Sequence, residues 1–162
     1  MILQALNDYY ARKMIDPDPA HRLPAFGFED KQIPFIIELS RKGELLGIQD
    51  TRKIEGKRKF AQNFLVPKGV KKASGVASNL LWDTAEYVLG VDTKGKPERV
   101  AEQFAAFIAR VESLPEATQQ DEGVYAVLTF LNKSPATEAQ KHPLWQEIIS
   151  GLREVVWVDS EP

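Results

Sequence analysis

The sequence predicts an α+β fold: an N-terminal helix, a small antiparallel sheet, then several packed helices and a final short strand. Three observations carry this. Apolar residues at helical spacing open the chain and return after residue 95. Short runs rich in branched residues, separated by turn residues, lie between them. Helix-like and strand-like stretches come in blocks, which argues against an alternating βαβ plan.

At 2–15, Leu3, Leu6, Tyr10 and Met14 step by three, four and four, and "DPDP" at 16–19 stops the helix. A loop containing "HRLPAFGFED" follows. "IPFIIEL" (33–39) and "ELLGIQD" (44–50) flank "SRKG" and read as a β-hairpin. The basic stretch 52–59 continues the sheet or its next turn, and "FAQNFLV" (60–66) reads as a further strand closed by Pro67. A loop runs from Lys68 to about Ser78, where Ser78 suits an N-cap. The helix beyond it carries Leu81, Ala85 and Val88 on one face, and Gly90 is its stop.

"GKPERVAEQFAAFIARVESL" (95–114) is the clearest helix. Pro97 suits its first turn, and Val100, Phe104, Phe107, Ile108 and Val111 form its apolar stripe. "GVYAVLTFLNK" (123–133) reads as helix rather than buried strand, because Val124, Leu128 and Leu131 share a face. "TEAQKHPLWQEIISGLR" (137–153) is a helix begun or interrupted near Pro143. "EVVWVD" (154–159) reads as a strand with no following turn or partner. Composition leaves two readings of that ending open: an edge strand, or a cut within a longer chain.

The 162 residues suit one domain with one core, and 43% apolar with 27% charged residues is an ordinary globular balance. The longest apolar runs, such as 124–131, are too short for a membrane span, and the start lacks the features of a signal peptide. The absence of cysteine removes disulfide and thiolate chemistry and fits a reducing, cytoplasmic setting. Net charge is only −2, yet it is unevenly placed. Between Arg52 and Lys72, eight basic residues face one acid, Glu55, for a local +7, while the remainder carries −9. Such a field attracts polyanions.

Catalytic signatures are scarce. His21 and His142 lack a second ligand at metal spacing, and neither a nucleophile elbow nor a phosphate-cradling glycine loop is present. Asp50 with Glu55-Gly56-Lys57 resembles the carboxylate–lysine arrangement of metal-dependent nucleases, but an acid beside a lysine is also a common solvated turn. The expectation is therefore no enzyme, no metal and no cofactor.

The stretch "GVKKASGVAS" (69–78) holds two lysines and nothing larger than valine or lysine. On one reading Lys68, Lys71 and Lys72 merely solubilise a turn built on Ser74 and Gly75. On the other, small residues let the backbone approach a partner while the lysines neutralise phosphates. Trp82 and Tyr87, on an apolar face, read as core rather than as stacking platforms.

Several of these residues together resemble a known family. "MILQALNDYY", "LVP" at 65–67, "SGVASNLLWDTAEYVLGV" at 74–91 and "GKPERVAEQFAAF" are similar to the N-terminal domain of the Csd-type large subunit of the type I-C CRISPR surveillance complex (Cascade). The likeness covers about the first 110 residues, with Leu80 standing where phenylalanine is expected. The resemblance implies a non-catalytic subunit that reads the protospacer-adjacent motif on double-stranded DNA. Its partners would be target DNA, guide RNA and other Cascade subunits, with a phage anti-CRISPR inhibitor as a further one. It also implies that 1–162 is a single N-terminal domain of a longer subunit that ends in a helical bundle. Carried onto this chain, Ser74, Gly75 and Asn79 would touch base edges or backbone, and Lys68, Lys71 and Lys72 would grip phosphates. Arg52, Lys53, Lys57, Arg58 and Lys59 would form a second positive wall. Asn79 keeps a rival reading as the residue that orders the loop. Two alternatives remain beside DNA reading: a module docking on guide RNA or neighbouring subunits, and a metal-dependent nuclease.

Overall fold

A computed structural model describes residues 27–72, 75–150 and 155–160, so the helix expected at 2–15 lies outside the described residues. The described chain is α+β. Its strands are β1 (Phe28–Gln32), β2 (Phe35–Leu39), β3 (Leu45–Asp50), β4 (Arg52–Glu55), β5 (Arg58–Ala61), β6 (Asn63–Pro67), β7 (Trp82–Thr84) and β8 (Val155–Ser160). Its helices are α1 (Ala85–Leu89), α2 (Pro97–Glu112), α3 (Glu116–Gln119), α4 (Glu122–Leu131), α5 (Pro135–Ala139) and α6 (Trp145–Ser150).

Six of the strands come from three long chain segments that each bend once. The first bends at Ile33–Pro34, the second at Thr51 and the third at Gln62. Each segment pairs half its length with each of the others: β1 with β6, β2 with β3, and β4 with β5, all antiparallel. The bends meet at one point. Thr51 N–H donates to the Pro34 carbonyl (2.9 Å), and Ile33 N–H donates to the Gln62 carbonyl (3.1 Å). The buried Thr51 hydroxyl donates to the Ile33 carbonyl and accepts from Gln62 N–H. Gln32 closes the junction by accepting from Ala61 N–H at 3.1 Å. Backbone groups freed by three bends are thus paired by each other and by one hydroxyl, as buried polar groups must be.

The arm formed by β2 and β3 is the expected hairpin, and it grows into a four-stranded sheet in the order β3-β2-β8-β7. The final strand is therefore not partnerless. It lies between β2, to which it is parallel, and β7, to which it is antiparallel. Val156, Trp157, Val158 and Asp159 are all buried. That nearly unbroken apolar run marks a strand covered on both faces rather than an edge. Phe35, Ile37 and Leu39 share one face with Val156 and Val158 in register, and Ile36 shares the other with Trp157. Phe64 of β6 reaches the Trp157 ring at 5.2 Å, which ties the β1–β6 arm to the sheet.

Around residue 80 the structure corrects the expectation. The helix begins at Ala85, not near Ser78, and Trp82–Thr84 is a strand on β8. Val158 N–H also bonds to the carbonyl of Leu81, whose φ is +68°. Ser78 does not cap the helix; its hydroxyl donates to the Asn79 carbonyl. Pairing with a strand more than seventy residues away outweighs local helical spacing here. Gly90 does end α1, in the left-handed conformation. The helix expected after Pro97 runs to Glu112 and buries Val100, Phe107 and Val111. The stretch expected to be helical at 123–133 is helix α4 as far as Leu131, capped at its start by the Asp121 carboxylate. The stretch beyond Ser134 divides into α5 and α6 on either side of Pro143. Helix α4 packs on β2 and β8, and α2 packs against α1 and α4.

Candidate nucleic-acid interface

The basic segment 52–59 neither extends the main sheet nor forms a plain turn. It is an independent two-stranded ribbon, β4–β5, paired only with itself. Gly56, with φ of +61°, takes the first place of its two-residue turn, as twisted hairpins of one type ask. Residues 53–59 are exposed on both faces, so the ribbon stands clear of the core.

Its charges divide into two kinds. Arg52, at the root, is committed to Asp50 through Nε–Oδ1 (2.9 Å) and Nη2–Oδ2 (2.8 Å), and lies over the Phe35 ring. That side-chain bond holds the Asp50 carboxyl below the usual carboxylate range. Lys53, Lys57, Arg58 and Lys59 are exposed and form no ion pair among the described residues. Ile54, 71% exposed, stands directly across from Lys59. Sequence reading passed over Ile54, because only the register shows which neighbours it has.

The second positive element leaves the far end of β6. Five extended residues, about 16 Å of strand, separate it from the ribbon's root. The two groups of cations are therefore not one compact patch. Lys68 is exposed, and its N–H bonds to the Gly27 carbonyl at 2.9 Å. Gly69 lies against Trp82 so closely that a Cβ there would sit 3.1 Å from the indole and 3.3 Å from Asn79 Oδ1. The Trp82 indole N–H donates to the Pro67 carbonyl at 2.6 Å, and Lys31 lies over its ring. Trp82 and Tyr87 are both 4% exposed, and both are core.

Val70 and Asn79, the ends of this small-residue stretch, meet. Val70 N–H donates to Asn79 Oδ1 at 2.8 Å, drawing the two ends together. Asn79 is 5% exposed, so its amide oxygen serves the loop itself. Lys72 lies apart from its neighbour Lys71: its ammonium is 2.5 Å from both oxygens of Asp83 and 3.8 Å from the Tyr87 ring centroid. Asp83, only 2% exposed, also accepts from Asn79 N–H (3.1 Å) and Thr84 N–H (2.8 Å). Lys71 is exposed and unpaired among the described residues, and Gly75 is exposed with open space around it. Ser74 lies outside the described residues. Asp83 belongs to the motif that carries the family resemblance but was given no site role from sequence, although an acid inside the apolar run "LLWDTAEY" was the available signal.

The nuclease-like arrangement does not assemble. Asp50 is occupied by Arg52, and Glu55 lies opposite Arg58 near the ribbon tip. Among the described residues no group of three acidic, histidine or cysteine side chains is placed to hold a metal. No helix among them is long and apolar enough to cross a membrane.

Residues 6–159 match the family described as CRISPR-associated protein (Cas_Csd1), while no curated protein matches the chain. The chain belongs to the Cas_Csd1 family.

Proposed function

We propose that this Cas_Csd1 chain recognises the protospacer-adjacent motif on double-stranded DNA, as a non-catalytic part of a type I-C RNA-guided complex in the cytoplasm. The observation that carries the reading is the set of exposed cations of a net-acidic chain that form no ion pair among the described residues: Lys53, Lys57, Arg58 and Lys59 on the ribbon, Lys68 and Lys71 on the connector that follows β6. Cations without protein partners are available to neutralise phosphates and release counterions.

The division of labour fits RNA guidance. When pairing with the guide reads the sequence, the protein needs only a short duplex signal and a grip on the backbone, a logic established for effectors of the Cas9 type. The small side chains in the sequence around Gly75 suit a groove too narrow for a helix, where base discrimination is limited. The two-stranded ribbon, about 16 Å of strand away, would hold the backbone from a second point. An acidic phage inhibitor would compete for the same cations.

The test is binding of motif-bearing duplex by the assembled complex across a salt series. Lys71→Ala should weaken binding and flatten the log K against log salt slope by about 0.9. Unchanged affinity and slope would remove the connector from the interface. Crosslinks from connector and ribbon to guide RNA alone would favour the docking-module alternative.

A further inference from the structure

We propose that Lys72 and Asp83 form a strut that holds Val70–Lys72 against Asn79 in place for the duplex, and that Lys72 is a positioning residue rather than a phosphate contact. This rests on the DNA reading above, although the strut can be judged without it.

Three observations separate Lys72 from Lys71. The Lys72 ammonium is 2.5 Å from both Asp83 oxygens, on a carboxylate that is 2% exposed. An ammonium in that position cannot turn to a phosphate without stranding a buried charge, a costly change. The ammonium also lies over Tyr87, which is core, so two partners on one side fix the direction of the side chain. Finally, the same carboxylate accepts from Asn79 N–H, while Asn79 Oδ1 accepts from Val70 N–H. Lys72, Asp83, Asn79 and Val70 are therefore one connected network across the loop's neck. Breaking the ion pair loosens both strands of that neck at once.

A neck held closed before binding spends less ordering entropy when the duplex arrives. Lys68, Lys71 and Lys72 are all exposed, but Lys68 and Lys71 form no ion pair among the described residues and are left to meet phosphates.

The experiment compares Lys72→Gln, Lys72→Arg and Lys71→Ala in the assembled complex, by duplex binding over a salt series and by hydrogen exchange at the Val70 amide. Lys72→Gln should weaken motif-bearing duplex roughly tenfold, the worth of one charged hydrogen bond. It should leave the salt slope unchanged and speed exchange at Val70. Lys72→Arg, which keeps a cation for Asp83, should restore most of both. Lys71→Ala should flatten the slope and leave Val70 exchange alone. A slope that falls by about 0.9 in Lys72→Gln would make Lys72 a phosphate contact and overturn the proposal. Unchanged Val70 exchange, or faster exchange with unaltered motif affinity, would overturn it as well. No effect of Lys71→Ala on duplex binding or salt slope would instead sink the DNA reading at the connector, with the Val70 amide still reporting on the strut.

Discussion

The hydroxyl of Thr51 stands where three bent chain segments meet, bonded to Ile33 on one and Gln62 on another. Replacing it with a methyl strands a buried carbonyl and a neighbouring N–H, and an unmet buried group costs about 1–3 kcal/mol. Thr51→Val should therefore lower the unfolding free energy by about that much in a denaturant titration, with the ribbon's amides exchanging faster. Asp50, next to it, carries a pH dependence of definite sign. Its pKa lies below the ordinary 3.8 because Arg52 bonds the ionised form. The pair's contribution is complete above about pH 4 and is lost as pH falls through the lowered value. An NMR titration should place the Asp50 midpoint under 3.8, and Arg52→Ala should return it towards that value. Residue by residue, reading the sequence located Trp82 and Tyr87 in the core and Gly90 at a helix end, since size, apolarity and missing Cβ act locally. It could not separate Lys71 from Lys72, because what separates them is a carboxylate eleven positions away.

At the scale of elements, the ribbon β4–β5 behaves as an attachment to the fold rather than part of its core. Its tip residues are exposed and its turn is self-sufficient, so changing its charges should alter binding more than stability. Lys57→Ala with Lys59→Ala should leave the thermal midpoint nearly unmoved, within the roughly 0.5 kcal/mol usual for surface substitutions. In the assembled complex the pair should flatten the salt slope by about 1.8, or 0.9 for each phosphate contact removed. A slope identical to wild type would take the ribbon out of the interface. Elements whose pattern is local were readable in advance: the 33–50 hairpin, the helix from Pro97, and α4. The strand at Trp82–Thr84 was not, because its helical spacing is genuine and only the backbone of β8 overrides it.

Across the whole molecule, the last strand holds the sheet together. β8 separates β2 from β7, and its Trp157 side chain is completely buried. Trp157→Ala should cost about 3–5 kcal/mol in chemical denaturation, the range for emptying a large core site. A cost under 1 kcal/mol would contradict the central placement. Charge is also distributed at this scale: the cations gather on the ribbon and connector, while acids prevail elsewhere, so a polyanion is drawn to these two elements.

The amino-acid order alone determined the α+β class, most of the local elements, the concentration of positive charge and the family, since propensity, periodicity and motif are properties of neighbouring residues. Tertiary structure decided that the final strand is central, that the basic segment projects as a ribbon from a three-way junction, and that Lys72 is paired with Asp83 while Lys71 forms no ion pair among the described residues. Each of these depends on a hydrogen bond or ion pair to a residue outside the local segment, and the chain's own order does not encode which distant group will arrive there.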